Sequence, residues 1–434
     1  MKKIGYILFI AVFFLISVVP SVGLLVNGPA EPAANEVPAA MPSVKTYDGS
    51  WNTQYFSGLR DYVGNGFYLR LEGITAWDTL ASAIFHASEN DDVLIGPDGW
   101  LFYGAAVNDI SGANQMTDRQ IWCAARGLAL MQEYAGSMGA DFVFTTPCGK
   151  YTLYPNHAPR LVTVAESSNR ERLAAALEVQ GVRYADLYSA FTSVEEELYW
   201  KLDSHWNGKG AALGADAILA SLGRTCGYYT GGFTVSGAHT GDLYAMLYPT
   251  GAVTEDDYST AAPLGFSYTS NFHSYDDMVI STEGGGEGSL LMFRDSSGRS
   301  LYPYMADAFE TAYFSRMNSY DLTLIESQSA DTVVVELAER TLNYLLRYPA
   351  VYPAPERDAS VLNGAIPVES EYSASESGNI TKLTGTLPEV SEEALIFVQA
   401  GGSVFEAIPN EGSFTAYLPL SADVSDAVIY ASNY

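Results

Sequence analysis

"SLLMFRDSSGRSLYPYMADAF", residues 289–309, opens with the apolar run Leu290–Phe293, turns through Arg294-Asp295-Ser296-Ser297-Gly298, and continues with apolar positions at helical spacing. A strand, a short polar turn and a helix in immediate succession form the unit of an α/β sheet, whose ligands bind at the carboxyl ends of the strands. A serine in that turn can expose its hydroxyl and offer its own backbone N–H to a developing oxyanion. Ser296, directly after Asp295, is the candidate nucleophile and Ser297 the alternative. The competing reading makes Ser296 a cap of the following helix. The stretch lacks the G-x-S-x-G elbow of α/β-hydrolases.

The same alternation extends to both sides. "VLIGPDGWLFY" (93–103) reads as strand, Pro97-Asp98-Gly99 turn and strand. Thr117-x-x-Gln120 is a capping box that opens a helix with Ile121, Ala124, Leu128 and Met131 on one face. The strand "DFVFTT" (141–146) follows. Ser168-x-x-Glu171 opens a second helix, which Gly181 ends before the strand "VRYADL" (182–187). "GAALGADAILASLG" (210–223) predicts a third helix, with Ala211, Ala215, Ile218 and Leu222 aligned. "TVVVE" (332–336) is the last strand, and a helix is expected from there to about Leu346. This order predicts a parallel sheet flanked by helices over residues 51–350. Residues 224–288 read as irregular loops bordering the site. Their "GGGEG" (284–288) lacks the Lys-Ser/Thr and helix start that a phosphate cradle needs.

At the N-terminus, Lys2 and Lys3 precede an apolar run from Ile4 to Val26, enough to cross a hydrocarbon core of ~30 Å. The two lysines orient it with its N-terminus inside. Residues 1–26 are expected to be an uncleaved signal anchor. A cleaved signal peptide, with Ser21-Val22-Gly23 at the cleavage site, is the other reading. Either exports the rest of the chain. Residues 27–50, with Pro29, Pro32, Pro38 and Pro42, are expected to form a semi-extended spacer that lifts the folded part off the membrane. Residues 365–434 hold short strands and a Gly401-Gly402 hairpin signal, predicting a small β-sandwich-like module that packs on its neighbour or binds carbohydrate.

Composition narrows the function. A formal charge of −29 repels phosphate backbones, so nucleic acid is not an expected partner. Cys123, Cys148 and Cys226 lack C-x-x-C spacing, and His86, His157, His239 and His273 show no spacing of metal ligands. No metal site is expected. In "KLDSHWNGKG" (201–210), Asp203 and His205 project to the same side if the segment is extended. The carboxylate then orients the imidazole and leaves its other nitrogen as a general base. On spacing alone, a loop carboxylate and a surface histidine ahead of a helix are the favoured reading.

"GPDGWLFY" (96–103), "LDSHWNGKGA" (202–211), "FRDSSGRSLYPY" (293–304) and "VVVELAER" (333–340) occur in the order and spacing of the DHHW proteins. These are SGNH-hydrolase-like relatives of the alginate O-acetyltransferases AlgJ and AlgX. The resemblance covers residues 50–346 and implies a flavodoxin-like α/β sheet with a catalytic triad of Ser296, His205 and Asp203. Arg294 stands where a glycine often precedes the Asp-Ser pair, and the separate glycine and asparagine oxyanion blocks have no clear counterparts. Asp295, Arg294 and Ser297 are the expected oxyanion or substrate contacts. The resemblance further implies a polysaccharide O-acetyltransferase working through an acyl-serine beside a membrane-bound O-acyltransferase, with no metal or soluble cofactor. An O-acetyl esterase and a non-catalytic, membrane-anchored glycan-binding or assembly protein are the alternatives.

Overall fold

The structure, a computed structural model, describes residues 2–33, 36–38, 40–159 and 163–432. Met1 at the head of the expected anchor, residues 34, 35 and 39 of the expected spacer, and residues 433–434 of the expected module lie outside the described residues.

In chain order, the helices that matter here are α1 (Lys2–Asn27), α2 (Tyr55–Gly66), α3 (Arg70–Phe85), α4 (Asp118–Ser137), α5 (Asn169–Gln180), α6 (Gly208–Ser221), α7 (Asp242–Leu247) and α8 (Gly298–Ala308). The strands up to residue 336 are β1 (Val93–Ile95), β2 (Leu101–Tyr103), β3 (Asp141–Thr145), β4 (Tyr184–Ala185), β5 (Phe233–His239), β6 (Glu255–Thr260), β7 (Phe266–Tyr268), β8 (Val279–Gly284), β9 (Ser289–Phe293), β10 (Thr311–Ser315) and β11 (Thr332–Glu336).

The central sheet runs β4-β3-β11-β9-β10-β8-β7. Its first five strands are parallel, while β8 and β7 add an antiparallel edge, so the sheet is mixed rather than wholly parallel. Alternate residues of each central strand enter opposite cores, as the period of two requires. Phe142, Phe144, Leu291, Phe293, Val333 and Val335 pack under α4 and α5. Val143, Leu290, Met292 and Val334 pack under α6 and α8. Both expected capping boxes form, Thr117 with Gln120 and Ser168 with Glu171, and Gly181 ends α5 in the left-handed conformation.

The segment 224–288, expected to be irregular, instead contributes β5 to β8. β5 and β6 pair as a bulged antiparallel ribbon beside the sheet. The helix expected up to Leu346 is broken into a 3₁₀ turn, Glu339–Thr341, and a short helix, Tyr344–Arg347. That break holds residues 338–341 against the serine turn, where Ala338 N–H reaches the Asp295 carboxylate.

From Glu356 onward the chain forms a five-stranded and a four-stranded sheet around their own apolar core. This β-sandwich is tied to the main sheet domain. Arg357 bonds both Glu133 and Glu406, Arg126 pairs with Glu406 at 2.6 Å, and Ile408 and Tyr417 enter the core beneath α4.

The Pro/Ala segment does not stand off as the sequence led us to expect. Glu36 and Arg70 form a bidentate pair, Ala30 N–H donates to Gly66 O, and Gly58 lies against Pro42. The segment therefore folds back along α2 and keeps α2 and α3 close to the end of α1.

Candidate active site

β9 ends at Phe293, and the next five residues turn into α8. The turn is held by the carboxylate of Asp295, whose Oδ1 accepts the Ser297 N–H at 2.7 Å and whose Oδ2 accepts the Ala338 N–H at 2.9 Å. Beneath it, Glu336 at the end of β11 accepts the Asp295 N–H at 3.1 Å. Complete burial and the neighbouring Asp295 charge push the Glu336 carboxyl well above its ordinary range. Gly298 is required by close approach, since a Cβ at that position would lie 2.7 Å from Arg294 Cβ and 2.8 Å from Glu336 Oε2.

This geometry separates the expected site residues. Ser296 lines a cleft of about 780 Å³ together with His205, Asp242, Arg299 and Arg340. Ser297 is buried and sits at the N-terminal cap position of α8. The Asp295 carboxylate is engaged with backbone N–H groups, and as an acceptor it is unsuited to holding an oxyanion. Arg294 is buried and donates to the carbonyls of Tyr275 and Asp277. The turn engages the Asp295 carboxylate and the 275–277 loop engages Arg294 Nη2, which leaves the expected oxyanion or substrate role of Asp295, Arg294 and Ser297 a proposal.

The segment Asp203–Trp206 lies opposite. Asp203 is buried and accepts four hydrogen bonds. His205 N–H and Nδ1 reach Oδ1, each at 2.8 Å, while His239 Nε2 and Asp242 N–H reach Oδ2 at 2.7 and 3.0 Å. Burial works against this carboxylate, but the bonds from His205 and His239 outweigh it and hold its pKa well below the ordinary value. For His205, burial disfavours the charged ring, but the bonds and charges of Asp203 and Asp242 prevail and push it up to about 9. The His205 Nε2 atom is buried without a hydrogen-bond partner, on a residue lining the same cleft as Ser296. Among the described residues no hydrogen bond joins Ser296 to His205.

A direct latch does join the two segments. Trp206 Nε1 donates to Ser297 O at 2.8 Å from within the core, and Tyr304 Oη of α8 donates to Gly208 O at the start of α6. Asn207 caps α6 through the N–H groups of Lys209 and Gly210, which fixes the exit of the segment.

Four further residues belong to the site. His239, at the end of β5, stacks on Trp200 with ring centroids 3.8 Å apart and lines a second cleft of about 580 Å³ that also reaches His205. Asp242 accepts from Ser204 Oγ at 2.5 Å and lies 3.4 Å from His205 Nδ1. Arg340 places Nη2 3.4 Å from Ser296 Oγ. Lys150 is buried and donates to the carbonyls of Leu101, Lys201 and Asp203 at 2.7–2.8 Å, with burial pulling its ammonium down to about 7. None has local spacing that announces it in the sequence, although Arg340 falls within "VVVELAER". Asp203, His205 and Asp242 also present ligand atoms within 4.8 Å of one another. Ser204, His239 and backbone N–H groups already engage those oxygens, so a metal ion would have to displace them.

Residues 93–252 match the family described as the SGNH hydrolase-like domain of acetyltransferase AlgX. The resemblance read from the sequence and the SGNH-like α/β fold are thereby borne out for that segment. Similar solved structures include Bacillus cereus PatB1, 16% identical over 58% of this chain and 97% of that chain, with a TM-score of 0.46. A DHHW family protein from Eubacterium siraeum is 17% identical over 61% and 98%, with a TM-score of 0.46. Pseudomonas aeruginosa AlgX is 13% identical over 78% and 90%, with a TM-score of 0.40. Among curated proteins none matches the chain.

Proposed function

We propose that the protein is an exported O-acetyltransferase that modifies a polysaccharide through an acetyl ester on Ser296. The observation that carries this reading is the unpartnered, buried Nε2 of an Asp203-held His205 in the cleft lined by Ser296. Neutral His205 takes the Ser296 hydroxyl proton as Oγ bonds to the acetyl carbonyl carbon, and the imidazolium returns that proton to the departing oxygen of the donor ester. In the second half, His205 takes the proton of a sugar hydroxyl, whose oxygen attacks the acetyl-serine and releases Ser296 with its proton restored. Arg340 and the Ser296 N–H are the candidate donors to the tetrahedral oxyanion.

The helix α1 contains, within Ile4–Asn27, an 18-residue window of mean hydropathy 2.7 and supports a single membrane anchor with the remaining domains outside the cytoplasm. A donor made in the cytoplasm then has to be handed across the membrane, which makes a membrane-bound O-acyltransferase the expected partner. Residues 1–26, 51–350 and 365–434 serve in this reading as anchor, catalytic domain and accessory β module. The test is the intact mass of the chain after incubation with an acetyl ester donor. One added acetyl group is expected in the native protein and none in Ser296→Ala. An adduct that persists in the variant overturns the assignment, and acetate release without transfer to added glycan makes the protein an esterase.

A further inference from the structure

Helix α3 carries its apolar surface on the outside. Gly73, Ala76, Trp77, Leu80, Ala83 and Ile84 fall on one face at helical spacing, and all are exposed, Trp77 at 53%, Leu80 at 51% and Ile84 at 58%. The opposite face holds the helix to the domain through the buried Ala81 and through polar groups. Asp78 is buried there, Ser82 Oγ accepts from Tyr248 Oη, and Thr75 Oγ1 accepts from Thr250 N–H. This is the reverse of the pattern of a helix packed on a water-soluble core.

The position of the helix says what covers that face. The corner between α2 and α3 is docked on the last turns of α1, with Tyr68 N–H donating to Pro20 O and Leu24 buried. A side chain at Gly23 would collide with Tyr68, so the approach is close. Pro20 precedes the helix end at Asn27 by about 10 Å at ~1.5 Å per residue. The start of α3 therefore meets α1 about 10 Å short of its outer end, within the last turns of the apolar span. We infer that the Gly73–Ile84 face of α3 lies in the lipid headgroup and acyl boundary of the membrane that α1 crosses, as a second, interfacial contact of the chain with the bilayer.

The inference rests on α1 remaining attached and spanning the membrane. The contact is apolar, since the charged groups of α3 are Arg70, paired with Glu36, the buried Asp78, and Glu72. It is accordingly indifferent to anionic lipid, unlike basic interfacial helices.

The full chain is incorporated into phosphatidylcholine vesicles whose acyl chains carry bromine near the carbonyl, after flotation and intact mass have shown that α1 is retained. The difference in emission between the native protein and Trp77→Phe isolates Trp77 from the other tryptophans. Bromolipid is expected to abolish that difference, equally with and without anionic lipid. An intact, floating chain whose Trp77 emission is quenched by aqueous iodide and not by bromolipid overturns the interfacial contact alone and points to a water-facing or protein-covered helix. A chain that does not float, or has lost α1, overturns the anchor and this inference together.

Discussion

Replacing Asp203 by asparagine tests the site at its most strongly coupled point. The carboxylate accepts both the backbone N–H and Nδ1 of His205, and with Asp242 it carries the imidazole from 6.5 to about 9. At ~1.4 kcal/mol per tenfold change in proton affinity, that rise is worth about 3 kcal/mol in favour of the imidazolium, net of burial. A general base works in its neutral form, which is about 1% of the His205 population at pH 7 and half of it at about pH 9. Acylation of Ser296 should therefore climb about 50-fold over that interval. In Asp203→Asn burial is opposed by Asp242 alone, the midpoint drops towards or below 6.5, and the rise above pH 7 disappears. The plateau falls as well, by on the order of 10⁴-fold, because the amide no longer holds the ring in the tautomer that leaves Nε2 free. The assay is kcat/KM for a chromogenic acetyl ester from about pH 6 to about pH 10. The folded-state pKa exceeds the unfolded one, so the stability from this pair is complete below about 6.5 and lost as pH rises through about 9. Thermal melts should show that slope in the native protein and not in the variant. A native midpoint near 6.5, or one left unmoved by the substitution, refutes the reasoning.

Arg340→Met should lower kcat/KM by about 10- to 10³-fold if the guanidinium near Ser296 Oγ meets the oxyanion, with Arg340→Lys restoring part of it; an unchanged rate removes Arg340 from that role. Gly298→Ala forces a Cβ against Arg294 and Glu336 and should cost about 1–3 kcal/mol, read as a lower midpoint in urea unfolding; full native stability would show that the turn has room. Glu336 keeps its proton in the native chain well above its unfolded value of 4.5, so folding loses stability as pH climbs past that value. Glu336→Gln should remove the loss, leaving stability unchanged at pH 4 to 5 within about 1 kcal/mol and raised at neutral pH; parallel pH dependences in the two proteins would refute a neutral Glu336.

The parallel core of the fold was legible because its strands and helices bury what they alternate. Phe142 and Phe144 go to one face and Val143 to the other, and each helix that opens on a capping box shows its apolar stripe within two turns. Segment 224–288 was not legible. β5 is half-exposed or exposed along its whole length, so neither of its faces leaves an apolar period in the sequence. β7 is a short edge strand, and β8 earns its place through pairing with β10, a partner more than twenty residues away. The Pro/Ala stretch was misread because composition describes the stiffness of a free chain, whereas one bidentate pair, Glu36 with Arg70, fixes where this chain goes.

The candidate site divides along the same line. Asp203, His205 and Ser296 stand out because each lies in a local pattern, an Asp-x-His pair or a strand-turn-helix, with a chemical reading of its own. His239 and Asp242 reach Asp203 from the end of β5 and the first residue of α7, across a sequence gap that no spacing rule bridges. That neither was expected at the site matters, since together they supply half of the hydrogen bonds that hold the carboxylate. Trp206 illustrates the opposite case. It was visible as part of a motif, yet its purpose emerges only from the bond to Ser297 O, which ties the histidine segment to the serine turn through the core. The bond of a buried indole thus ties the segment that carries His205, the proposed base, to the turn that carries Ser296, the proposed nucleophile, and holds the two segments relative to one another.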